Sequence, residues 1–247
     1  MERIWMNELS RHKGLTVEDI ERSSQYARDL TAGLEKIKTY PQGVTIFGSA
    51  RLPEANPYYV KARELGQKLA QAGHPVITGG GNGIMEAANR GAFEVGGRSI
   101  GLNIQLPREQ TLNQYTTDHL EFHYFFARKV MLAASSKVYV YFPGGFGTID
   151  EFSEILTLIQ TRKVEQVPIF LFGKEFWEPL DAFFYWKMEK EAGTISPDDR
   201  RLYTITDDIE AIVTTANEVA TRQPSELIAE VLSADAIDPA NNSSVAS

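Results

Sequence analysis

No cysteine occurs anywhere in the 247 residues. That absence removes disulfide scaffolds, thiolate zinc sites, iron–sulfur clusters and cysteine nucleophiles together. Long apolar runs are missing as well. The longest have five residues, as in Val138-Tyr139-Val140-Tyr141-Phe142, far short of the about twenty that cross a bilayer. A positive charge excess is the third absence. Twenty-five Lys and Arg face 33 Asp and Glu, giving a net charge of −8, so overall charge does not draw the chain to nucleic acid or an anionic membrane. The first ten residues, M-E-R-I-W-M-N-E-L-S, mix both signs and hold no apolar signal core. These absences predict a cytoplasmic protein with neither nucleic-acid nor membrane partners.

What is present is a rhythm. Hydrophobic residues make up 43% of the chain, enough for a substantial core. Thr16 followed by Asp19 reads as a capping box, and Ile20, Ala27, Leu30, Leu34 and Ile37 recur at helical spacing, so residues 1–42 form an N-terminal helical extension. Strands are expected over 43–49, 75–78, 99–104, 137–142, 167–172 and 203–206. Helices are expected over 57–72, 84–95, 125–135, 148–162, 176–191 and 207–222. Asn56-Pro57 opens one of these helices and Gly73 closes it. Continuous apolar strands separated by helices mean a parallel sheet covered on both faces. The expectation is therefore a single α/β domain over 43–222, a Rossmann-like doubly wound parallel sheet, with a partly disordered C-terminal segment over 223–247. No internal repeat is visible.

In such sheets ligands bind beyond the carboxyl ends of the strands. Three loops stand there: Gly48-Ser49-Ala50-Arg51, Gly79-Gly80-Gly81-Asn82-Gly83 and Pro143-Gly144-Gly145-Phe146-Gly147-Thr148. Glycines bring backbone close to an anion, and free N–H groups at a helix start receive a phosphate. Glu86 and Asp150 stand where a dinucleotide fingerprint needs its third glycine, and the Lys-Ser/Thr ending of a P-loop is absent. Hydride transfer with NAD and nucleoside-triphosphate hydrolysis are both disfavoured.

The run P-G-G-F-G-T-I-D-E (143–151) resembles the P-G-G-x-G-T-x-x-E signature of the Lonely Guy family, the cytokinin riboside 5′-monophosphate phosphoribohydrolases. F-G-S-A-R (47–51), G-G-G-N-G-I-M-E-A-A-N-R-G-A (79–92) and F-F-A-R-K-V-M (125–131) extend the likeness towards the longer bacterial members. Relatives are often labelled lysine decarboxylases, but no loop offers a Schiff-base lysine with a pyridinium partner. The resemblance implies hydrolysis of a purine–ribose bond in AMP or a cytokinin riboside 5′-monophosphate, with no cofactor and no metal. It makes Arg128 and Glu151 catalytic. Gly144, Gly145, Gly147 and Thr148 would cradle the 5′-phosphate, with Ser49, Gly80 and Lys129 also binding substrate.

Each assignment has a plainer alternative. Thr148 and Glu151 could be the two halves of a capping box, and Arg128 a solvated helix-surface cation. Arg51 lines the pocket or only a turn; Glu86 and Asn89 touch the ribose or cap and pack. A carrier binding a nucleotide or the molybdenum cofactor without catalysis is the alternative for the whole chain. His119 and His123 lie in H-L-E-F-H-Y, which alternates like a strand and brings no third metal ligand. The run Phe183-Phe184-Tyr185-Trp186 wraps more of its helix than one core face requires, which implies a homodimer or higher homo-oligomer.

Overall fold

A computed structural model describes residues 16–105 and 112–221. The expected tail over 223–247 and the first part of the N-terminal extension lie outside the described residues. Among the described residues seven strands form one sheet: β1 (Val44–Phe47), β2 (Val76–Thr78), β3 (Ser99–Ile104), β4 (Asp118–Phe122), β5 (Val138–Tyr141), β6 (Ile169–Phe172) and β7 (Thr204–Thr206). Their order is β4-β3-β2-β1-β5-β6-β7, and every pairing is parallel. The chain winds outward from β1 on one side and from β5 on the other. The order therefore reverses between β1 and β5, where such sheets open a crevice for a ligand.

The helices are α1 (Val17–Lys38), α2 (Pro57–Gln71), α3 (Ile84–Glu94), α4 (Phe125–Ala134), α5 (Phe146–Gln160), α6 (Lys174–Phe183) and α7 (Ile209–Thr221). Strand side chains alternate between two cores. Val138, Val140 and Phe142 point to the side covered by α2, α3 and α7. Tyr139 and Tyr141 point to the side covered by α1, α4, α5 and α6. Full burial of every β5 residue explains why that strand reads as an unbroken apolar run.

The sequence reading is corrected in three places. The alternating segment around His119 is a seventh strand, the edge strand β4, whose outward face tolerates polar residues. Helix α5 begins at Phe146, two residues before the expected Thr148. The expected aromatic helix over 176–191 is α-helical only to Phe183 and continues as π-helix over Phe184–Glu191. Trp177 anchors its start, donating from Nε1 to the carbonyls of Tyr141 and Phe172, each at 3.1 Å.

Candidate active site

The loops after β1 and β5 meet at the switch point. The Ser49 N–H donates to the Pro143 carbonyl at 3.0 Å, and the Phe142 N–H to the Phe47 carbonyl at 2.9 Å. Beyond them lies a cleft of about 650 Å³. Ser49, Arg51, Arg128, Lys129, Gly145, Gly147, Thr148 and Glu151 all line it, with Phe47, Met85, Ile104, Phe125 and Phe146 as its apolar wall. Residues from five distant stretches of sequence thus share one crevice.

Because α5 starts at Phe146 with Gly145 as its cap, its first N–H groups, at Phe146 and Gly147, have no carbonyl in a preceding turn to bind. They open on the cleft and carry the positive end of the helix dipole. Gly144 lies behind them rather than on the lining. A Cβ there would meet Thr148 Oγ1 at 2.1 Å, so glycine lets the loop close over the threonine. Thr148 is the third residue of the helix and not its cap. The capping-box alternative for Thr148 and Glu151 is therefore overturned: no side-chain hydrogen bond caps this helix.

Glu151 is only 7% exposed. Among the described residues no donor engages its carboxylate. Burial pushes its pKa from the ordinary 4.5 up to about 7, against the opposing pull of Arg128 and Lys129 and with a further push from Glu154 and Asp150. The Glu151 carbonyl takes a hydrogen bond from Tyr141 Oη at 3.3 Å, which ties the acid's backbone to the central strand.

Arg128 projects from α4 on the opposite wall. Its Nε donates to the Leu102 carbonyl of β3 at 2.8 Å. The guanidinium occupies the place of a missing side chain: a Cβ on Gly79 would lie 2.2 Å from Nη2 and 2.9 Å from Met85 Sδ. Burial lowers the Arg128 pKa and the charge of Glu151 raises it; arginine stays cationic throughout. Next to it, Lys129 pairs with Asp150 at 2.8 Å and Glu154 at 3.2 Å. Burial works against the lysine's charge, but these bonds prevail and raise its pKa.

Three other candidates stand elsewhere. Gly80 packs against Gly101 and Leu112 away from the cleft lining. Asn89 is a buried hydrogen-bond node, accepting from Thr78 and Asn113 and donating to Ser99. Glu86 accepts from Tyr59 Oη at 2.9 Å, joining α3 to α2. Sequence reasoning missed Gly79, the Leu102 carbonyl and Asp150 as partners of the cleft's cations. Only the triple glycine was a usable signal for the first, and a backbone carbonyl leaves none.

The family described as possible lysine decarboxylase matches residues 85–216. A probable cytokinin riboside 5′-monophosphate phosphoribohydrolase of Oryza sativa subsp. japonica is 31% identical over 64% of this chain, which spans 65% of the rice protein's length. A cytokinin riboside 5′-monophosphate phosphoribohydrolase of Rhodococcoides fascians is 26% identical over 70% of this chain and 88% of its own. The molybdenum cofactor carrier protein of Chlamydomonas reinhardtii shares the fold, with a TM-score of 0.51 and 24% identity over 72% of this chain and 98% of its own.

Proposed function

The chain belongs to the Lonely Guy family, whose family model carries the description possible lysine decarboxylase; from that premise we propose that it hydrolyses the N-glycosidic bond of a purine nucleoside 5′-monophosphate. The products are the free base and ribose 5-phosphate. The observation that carries this reading is Glu151, a buried carboxylate with no donor among the described residues, sharing a cleft with the Arg128 cation and an open helix start.

Each group then has a task. The N–H groups at the start of α5, with Thr148, hold the 5′-phosphate, and the Gly144 close approach keeps that threonine in place. The C1′–N bond breaks, its electron pair leaving with the base nitrogen, and positive charge develops on the sugar. A carboxylate facing that charge stabilises it. Water adds at C1′ and gives its proton to Glu151, which passes it to the departing base. A group with a pKa of about 7 suits both halves of that exchange near neutral pH. Arg128 keeps Glu151 partly ionised and aligns sugar hydroxyls or phosphate oxygens.

The decarboxylase description fits the cleft poorly. Lys129, the lysine on its lining, is held charged by Asp150 and Glu154, whereas a Schiff base needs a neutral amine. The carrier alternative rests on shared fold, which does not specify function. A buried acid with a raised pKa, facing a cleft beside an arginine, is the kind of group that catalytic sites arrange.

The test is release of free base and ribose 5-phosphate from AMP, with adenosine, a prenylated AMP and lysine as comparison substrates. AMP should turn over on the order of 100-fold faster than adenosine, because binding the remote phosphate positions the reacting bond. Failure to release base from any purine 5′-monophosphate would overturn the reading. Equal rates for AMP and adenosine would remove the phosphate from the start of α5.

A further inference from the structure

Helix α4 has two faces. Phe125, Arg128 and Lys129 look into the cleft, while its other side is fastened to the N-terminal helix α1. The fastening starts just before the helix. Asp29 of α1, only 6% exposed, accepts the His123 N–H at 2.8 Å and meets His123 Nδ1 at 3.1 Å. Gln25 Nε2 donates to the same carboxylate at 2.9 Å. Burial raises the Asp29 pKa, but these bonds outweigh it and keep the group ionised.

Further along, the edge of Tyr26 packs on Tyr124 at 4.5 Å and on Phe126 at 4.9 Å. Gly33 leaves room for Met131: a Cβ there would stand 2.3 Å from Met131 Cγ. The first turn of α4 is closed by the Arg128 N–H on the Tyr124 carbonyl at 3.2 Å. Arg128 thus begins one helical turn beyond the residues that α1 holds. A buried, fully engaged carboxylate at that spot costs desolvation and ordering, yet it touches no part of the cleft.

We propose that Asp29 is a positioning residue: by holding the backbone at the entrance of α4 it sets where Arg128 stands opposite Glu151, which makes the N-terminal helix a working part of the site. The inference rests on the function proposed above only for its kinetic arm. Its other arm is the titration of Glu151 itself. Among the described residues four charged groups face that carboxylate: Arg128 and Lys129 from α4, and Asp150 and Glu154 from its own helix. If Arg128 retreats, the pull that lowers the Glu151 pKa weakens and the value rises.

The experiment follows the side-chain carboxyl of Glu151 by carbon-13 NMR titration, assigned with Glu151→Gln, in the parent, Asp29→Ala, Asp29→Asn and Lys36→Met. Lys36 pairs with Asp118 of β4 at 2.7 Å, so its replacement loosens α1 without touching the entrance of α4. Asp29→Ala should raise the Glu151 midpoint by about one unit. Asp29→Asn, which still accepts the His123 N–H, should restore most of the parent value, and Lys36→Met should leave it unchanged. In the kinetic arm, kcat of Asp29→Ala falls roughly tenfold or more with a smaller change in KM, since the N–H groups at the start of α5 and Thr148 still hold the phosphate. An unchanged midpoint in a folded Asp29→Ala protein overturns the proposal. So does an equal shift in Lys36→Met, which would mean general loosening. A parent that titrates as expected but cleaves no nucleotide overturns the proposed function and leaves the titration arm to decide the role of Asp29. Should Asp29→Ala fail to fold, Gln25→Ala, which removes the amide shared by Asp29 and His123, carries the test, and an unchanged Glu151 midpoint in it refutes the proposal.

Discussion

At Glu151 stability and chemistry pull in opposite directions. Burial raises its pKa to about 7 in the folded protein, while the unfolded chain keeps about 4.5. Between those values the folded state binds the proton more tightly. The associated stability is present below pH 4.5 and is lost as pH rises through 7. The difference amounts to about 3 kcal/mol. Glu151→Gln should therefore raise stability by up to that amount at pH 8 and leave it unchanged at pH 4, as read by urea melts. The same variant should lose a factor of about 10² to 10⁴ in AMP turnover while still binding AMP by calorimetry. In the parent, kcat/KM should climb as pH rises through 7 and then level off, because the carboxylate form faces the sugar cation. Gly79 is the second sensitive point. A methyl group there needs the space of the Arg128 guanidinium, so Gly79→Ala should cost tenfold or more in kcat, measured against a melting curve that shows the protein folded.

Elements succeed here where local rules and packing agree. The capping box at Thr16 and Asp19 forms as the sequence indicates, and Asn56 caps α2 by accepting the Tyr58 N–H. At α5 a different principle wins. The glycine loop runs straight into the helix, so Gly145 replaces Thr148 as its cap and the threonine side chain is left for the cleft. Helix α6 depends on a single indole that reaches two strand ends. Trp177→Phe should destabilise the protein by about 1–3 kcal/mol through the two carbonyls left without that donor, measured by urea unfolding. The turn to π-helix at Phe184 has no signal in residue spacing, because it differs from α-helix only in which carbonyl each N–H selects.

For the whole molecule, the exposed apolar surface is the open account. Phe146 is 95% exposed and Trp186 62%, with Phe125, Phe126, Val130 and Phe183 also largely uncovered. Monomeric proteins rarely leave such groups bare without a use for them. We expect a homodimer or a multiple of one, seen in light scattering as a multiple of the 27.6 kDa chain. Paired Phe183→Asp and Trp186→Asp changes should drive it towards the monomer if the α6 region is the contact. A particle of single-chain mass at micromolar concentration in the parent would refute the expectation. No helix among the described residues is long and apolar enough to cross a membrane.

The sequence by itself determined the layer architecture, because strand and helix periodicities are local and each β–α step carries its own turn signals. It also determined the glycine loop that opens α5, whose glycines and threonine lie next to one another, and it excluded thiol chemistry outright. His119 was legible as part of an alternating segment, and β4 emerged from that pattern once β3 supplied a neighbour. Only the tertiary structure decided the rest. The cleft arises because parallel winding reverses between β1 and β5 and brings residues 47–51 beside 143–151. The raised pKa of Glu151 is a property of burial, and burial is set by neighbours far away in the chain. Gly79 and the Leu102 carbonyl meet Arg128 across 49 and 26 positions of sequence, Asp29 meets His123 across 94, and no spacing rule reaches that far. Local patterns specify elements because their energies depend on nearby residues, whereas the charge state and aim of a buried side chain depend on what the whole fold places around it.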